Sequence, residues 1–146
     1  MRILKIKTEK RKLGNKGERI ARRFLKKSGY KILEKNYVAQ GSEIDVIAKK
    51  GNVCAFVEVK TRTKSSATNI EPRPASAVTP DKQAKIIKAA SHYQSRNPGS
   101  YRMRFDVIEV LIDVDRRGKK LITVNHLENT FDANTAKKGY KRKDYI

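Results

Sequence analysis

The chain has 146 residues and carries 35 Lys and Arg against 15 Asp and Glu, a net charge of +20, with one Cys and no Trp. That length suits one domain with its own core and hardly two, and a lone cysteine, Cys54, excludes an intramolecular disulfide and a thiolate zinc cage. The charge predicts a polyanionic partner, nucleic acid before an anionic membrane surface. No apolar run nears the ~20 residues of a membrane span and no secretory signal opens the chain, so a soluble cytoplasmic protein without membrane contact is expected.

Residues 1–12 hold six bases against one acid and residues 137–146 five against one, yet the body between them is basic too. The first twelve residues alternate apolar and basic side chains, a pattern open to a loose strand, an arm or disorder, and are set apart as a basic N-terminal arm. From Leu13 to Lys27, the positions Leu13, Gly17, Ile20, Ala21, Phe24 and Leu25 fall at helical spacing, and Gly29 supplies the stop. Glu18 lies one position off this stripe among Lys16, Arg19, Arg22 and Arg23; on the helix alone it reads as an i,i+4 partner of Arg22. Tyr30–Val38 reads as a strand, with a turn at Gly41. Two further strands, Glu43–Lys49 and Val53–Thr61, flank a Gly51-Asn52 turn.

Residues 62–78 form a loop rich in Ser, Thr, Pro and Arg, of a length that in compact domains is either functional or disordered. Thr79-Pro80 then supplies a cap and a proline at the first helical position, for a helix reaching about Gln94 and ended by Asn97-Pro98-Gly99. Strands follow at Arg102–Asp113 and Leu121–Leu127 around a turn at Gly118, and the tail from residue 131 is polar and basic. The order α-β-β-β-α-β-β predicts an α/β domain over residues 13–130, a mixed sheet with helices against it.

The chemistry gathers on the hairpin. Centred on Gly51-Asn52, the turn pairs Lys50 with Val53 and, counting back, Asp45 with Glu58 and Glu43 with Lys60. Opposed residues share a face, so two carboxylates and a lysine lie together, while Ile44, Val46, Ala48, Ala55, Val57 and Val59 form an apolar set on the other side. Cys54 reads as a small buried hydrophobe. Opposed carboxylates repel unless a cation sits between them, and Mg²⁺, which takes carboxylate and carbonyl oxygens, suits the position. The alternative is a solvated ladder of charges with Glu43–Lys60 a weak surface pair. Against it, Ile47 and Phe56 share the face, and Asp45 is followed by Glu58-x-Lys60 in a pattern suited to phosphodiester hydrolysis.

This arrangement resembles the PD-(D/E)xK nuclease superfamily, and more narrowly the YraN family, bacterial proteins similar to archaeal Holliday junction resolvases. The resemblance rests on Gly17-Glu18 with Ala21, Gly29-Tyr30, Asn36, Glu43-Ile44-Asp45-Val46-Ile47-Ala48, Phe56-Val57-Glu58-Val59-Lys60-Thr61-Arg62, Lys82-Gln83 with Ala90 and Tyr93, and Arg104-Phe105-Asp106-Val107. It implies a restriction-endonuclease-like αβββαβ core and Mg²⁺, with Mn²⁺ substituting, held by Asp45, Glu58 and the Val59 carbonyl. It also implies Lys60 beside the attacking water and Glu18 as the helix acid of the resolvase-like branch. Glu43, Gln83 and Asp106 would support the site, Glu43 through Lys60 and Asp106 equally well as a buried hydrogen-bonding group. Two departures stand out: Ser42 where the family pattern has Gly, and no aromatic-Gly pair in the loop before its proline.

The function so implied is a Mg²⁺-dependent endonuclease acting on structured or branched DNA, as a homodimer if it cuts symmetric junctions. Arg62, Lys64, Arg73 and Lys82 are the expected backbone contacts. Two other classes compete. One is a non-catalytic nucleic-acid-binding module that keeps the fold; the other is an interaction protein tethered through its basic ends.

Overall fold

The computed structural model describes the backbone of residues 2–63 and 78–136, with side chains from Glu9 onward. Helix α1 (Arg2–Lys27) leads into three strands, β1 (Lys31–Ala39), β2 (Ser42–Lys50) and β3 (Val53–Thr63). Helix α2 (Pro80–Arg96) and the pair β4 (Arg102–Val114) and β5 (Lys120–Phe131) complete the order read from the sequence.

Each boundary has a local cause. The α1 stripe ends in a Schellman turn, in which Gly29 (φ +94°) lets its own N–H reach the Lys26 carbonyl and the Tyr30 N–H reach that of Leu25. The β1–β2 and β2–β3 hairpins each turn on two residues: Gln40 and Gly41, both at positive φ, and Gly51-Asn52, with Gly51 at +59°. Thr79 caps α2 by accepting the Lys82 N–H at 3.2 Å, with Pro80 in the first turn. Strand β3 runs two residues into the segment read as loop, through Arg62 and Thr63, and two boundaries differ more widely from expectation. Helix α1 starts at Arg2 rather than Leu13, running through the segment set apart as an arm. Strand β5 continues past Leu127 to Phe131, because a bulge opposite Phe105–Val107, with Asn129 at φ +53°, keeps it in register with β4.

The strands form one mixed sheet in the order β1-β2-β3-β4-β5, antiparallel except between β3 and β4, whose parallel pairing requires the crossover that carries α2. A helix covers each face. On the α1 side Ala21, Leu25 and Tyr30 pack with Val46, Ala48, Ala55, Val57, Ile108 and Val110. On the α2 side Ile86, Ala89, Ala90 and Tyr93 pack over Ile47, Cys54 and Val107, with Phe56, Phe105 and Phe131 stacked across three strands. This is the α/β, restriction-endonuclease-like arrangement of a mixed sheet between helices. Cys54 is fully buried, as a small hydrophobe should be. No helix among the described residues is long and apolar enough to cross a membrane.

Candidate active site

The hairpin is zipped in the expected register from Lys50/Val53 to Val46/Val57, and there the ladder stops. At the next pair the Asp45 side chain does what a backbone carbonyl would otherwise do: its Oδ2 accepts the Val59 N–H at 2.8 Å. Strict alternation fails at the same point. Ile44, expected beside Val46, packs instead with Ile47 and Phe56 on the α2 side. The physical reason is the one that makes the pair unusual. Two carboxylates cannot sit opposed without cost, and parting the strands gives one of them a backbone donor.

The expected Glu43–Lys60 pair is lost with the ladder. Glu43 is exposed and lies opposite Val38 of β1, while Lys60 Nζ stands 3.5 Å from Glu58 Oε1. Glu43 has another partner: with its amide nitrogen turned toward them, Asn36 (φ +51°) donates to Glu43 Oε1 at 3.0 Å and to Glu18 Oε2 at 3.2 Å.

Glu18 reaches the hairpin because α1 touches β3 one residue earlier. A Cβ on Gly17 would overlap the Thr61 side chain, so glycine is what permits this approach. Glu18, Asp45 and Glu58 then line two adjoining clefts of about 530 and 570 Å³. The first is walled by Ser42, Thr79, Lys82 and Lys85, the second by Lys10, Lys60, Arg62 and Thr63. Lys82, expected as a backbone contact, has the shortest ion pair to these acids among the described residues: its Nζ donates to Glu58 Oε1 at 2.7 Å. Arg62 does line the cleft; Lys64 and Arg73 lie outside the described residues.

The electrostatics follow from this crowding. Burial pushes the Asp45 carboxyl up to about 8, and the Glu58 charge adds to the effect against the pull of the Val59 N–H. Burial also raises Glu18, helped by Glu43 and Glu58 and opposed by its hydrogen bond with Asp45 and by Arg22. The Glu18–Arg22 attraction read from the helix is present but secondary. Lys82 loses hydration on burial, yet Glu58 and Asp45 hold its ammonium above the usual lysine range.

Gln83 and Asp106 lie apart from this cluster in their bonding. Gln83 donates to the Val78 carbonyl at 3.0 Å and accepts from Thr135 at 3.2 Å, fastening the entrance of α2 to the chain after β5. Asp106 is fully buried and takes two nitrogens of Arg104, His126 Nε2 and the Asn129 N–H. Burial opposes its charge, but these donors hold it below the usual carboxylate range.

Among the described residues, no three Asp, Glu, His or Cys side chains converge as a metal cage. Glu18, Asp45 and Glu58 line one cleft, with Val59 on its wall and the Val59 N–H on the Asp45 carboxylate. That set suits Mg²⁺, which binds through one or two carboxylates and keeps much of its water. Burial, and after it the Glu58 charge, disfavours the ionised Asp45 carboxyl, and a cation there would favour that form. Sequence reasoning did not single out a role for Asn36, and passed over Glu109, a buried acid in β4. An acid inside an otherwise apolar strand covered on both faces was the available signal for Glu109.

The sequence model of the uncharacterised protein family UPF0102 matches residues 17–110, the span that holds every one of these side chains except Lys10 and those contributed after β4. A UPF0102 protein of Chloroherpeton thalassium is 47% identical over 105 residues, covering 71% of this chain and 78% of its own. The UPF0102 protein TTE1452 of Caldanaerobacter subterraneus is 44% identical over 126 residues, 86% of this chain and 98% of its own. One from Alkaliphilus metalliredigens is 41% identical over 120 residues, 82% and 96% of the two chains.

Proposed function

The chain belongs to the uncharacterised protein family UPF0102, the YraN family of the resemblance, and from the site that the matched region encloses we propose a divalent-metal-dependent endonuclease acting on structured or branched DNA. The observation that carries this reading is the parting of β2 and β3 at Asp45. It leaves one carboxylate seated on a backbone N–H, a second held by two lysines and a third on α1, around clefts lined with further cations.

A cation at Asp45 and Glu58 supplies Lewis-acid polarisation of a phosphate and a more acidic bound water. The protein's own part is positional. Asp45 and Glu58 would hold the cation, and the Val59 N–H fixes the Asp45 carboxylate. Lys60, a quarter exposed on the wall of the second cleft, can hold a water or offset charge growing on the phosphate oxygens. Lys10, Arg62 and Lys85 at the cleft walls bind the backbone without reading bases. Such contacts select shape over sequence, in keeping with a branched substrate.

The test is cleavage of labelled four-way junction, flap, single strand and linear duplex in Mg²⁺ and Mn²⁺, with Asp45→Ala alongside and binding followed in Ca²⁺. Metal-dependent cutting that the variant loses while still binding is the expected result. Binding of wild type with no cutting of any substrate would overturn the nuclease and favour a binding module on the same fold.

A further inference from the structure

In the parallel pairing of β3 with β4, Lys60 lies in register with Glu109. Neighbours of this kind share a face and stand roughly 4.8 Å apart across the sheet. The face is the α2 side: Cys54 and Phe56 precede Lys60 on it along β3, and Phe105 and Val107 precede Glu109 along β4. Glu109 is only 2% exposed, and its Oε2 is buried with no hydrogen-bond partner. An unmatched buried acceptor costs about 1–3 kcal/mol, more when charged, and native proteins keep few of them.

The neighbouring charges are unevenly shared. Lys60 and Lys82 both lean on the same oxygen of Glu58, at 3.5 and 2.7 Å, while Glu109, beside Lys60, forms no ion pair among the described residues and leaves Oε2 without a hydrogen bond. That distribution suits the acids as they stand, but not a state in which Glu58 holds a divalent cation. A like charge must then leave the shared oxygen, and Lys60 has a buried acceptor on the next strand within the reach of its four-carbon stem.

We propose that Glu109 is a positioning residue, the alternate anchor that takes up the Lys60 ammonium when Glu58 binds a divalent cation. The inference rests on the metal reading of the preceding section. Its consequence is that cation binding and the place of Lys60 are linked: removing the anchor leaves the ammonium competing for Glu58 and weakens the cation.

Mn²⁺ binding, read from the free-ion electron paramagnetic resonance signal, tests this in wild type, Glu109→Gln, Lys60→Met and the double variant. Glu109→Gln keeps the shape and removes the charge. It is expected to weaken Mn²⁺ by about fivefold or more, within the range of coupled neighbours, and to have no effect once Lys60 is Met. As a second readout, the Lys60 Cε resonance of wild type, assigned by its loss in Lys60→Met, moves as Mg²⁺ is added. Unchanged affinity in Glu109→Gln, or equal weakening with and without Lys60, overturns the proposal and leaves the metal reading standing. Should Glu109→Gln not fold, a Lys60 resonance that stays still while Mg²⁺ binds overturns it by itself. No Mn²⁺ binding by wild type removes the metal reading and the proposal together.

Discussion

Replacing Asp45 by Asn should make the metal-free protein more stable while removing its activity. The Asp45 carboxyl is raised from 3.8 to about 8, chiefly by burial and then by Glu58. Between those two values the folded chain holds a proton that the unfolded chain has released. Stability from this group is therefore complete below about pH 4, falls by about 1.4 kcal/mol per pH unit as pH rises, and levels off above about 8. Asparagine imitates the protonated acid: its oxygen can still accept the Val59 N–H and its nitrogen can donate toward Glu18. At pH 7, about three units above the ordinary value, the ceiling on the gain is about 4 kcal/mol, and relaxation of Glu18 and Glu58 in the wild type brings the expected gain to about 2–4 kcal/mol. Urea unfolding of both proteins in chelator at pH 5, 6, 7 and 8 measures the difference, which should widen with pH. A variant less stable than wild type at pH 7, or a difference that shrinks as pH rises, would refute the reasoning.

Further outcomes follow from three named contacts. Gly17→Ala should cost about 1–3 kcal/mol in urea unfolding, despite alanine's helical advantage, because its methyl meets Thr61; Thr61→Ala in the same chain should recover much of the loss. Asp106→Ala strands Arg104 in the interior and should cost about 3–5 kcal/mol. With Asp106→Asn the acid limb should flatten, since a carboxyl held below its ordinary value contributes stability above that value and loses it as pH falls through the folded one. Lys82→Met should change stability by less than about 1 kcal/mol, its side chain being 43% exposed and the ion pair partly screened, yet lower DNA cleavage tenfold or more.

Much of this could be read from residue order. Gly29, Gly51 and Thr79-Pro80 act locally, through backbone freedom and capping, so they marked the ends of α1, β2 and the start of α2 without knowledge of the fold. The hairpin register followed from its turn as far as Val46/Val57. Beyond that, the outcome depended on a competition that position counting does not contain, a side chain against a carbonyl for the Val59 N–H. The misplacing of Ile44 and of the Glu43–Lys60 pair both descend from that single event. The nearness of Glu18 to the hairpin came from the family resemblance rather than from helix periodicity, which left it with Arg22. Lys82 read as a contact to the nucleic-acid backbone; only the crossover between β3 and β4 brings the first turn of α2 over Glu58. Glu109 was hidden by the same crossover, since its neighbour Lys60 is distant in sequence and adjacent only in the parallel ladder.

Strand β3 divides its labour along its length. Cys54 to Val57 are buried core under both helices, whereas Val59 to Thr63 are half-exposed at the clefts, with Glu58 at the boundary. In a saturation mutagenesis scan scored separately for cellular abundance and for activity, substitutions at 54–57 should lower both scores together, through loss of folded protein. Those at Lys60 and Arg62 should leave abundance near wild type and affect activity alone, whereas bulkier residues at Thr61 should lower abundance through Gly17, so the two maps would part company within a single strand, just past the residue where the hairpin opens.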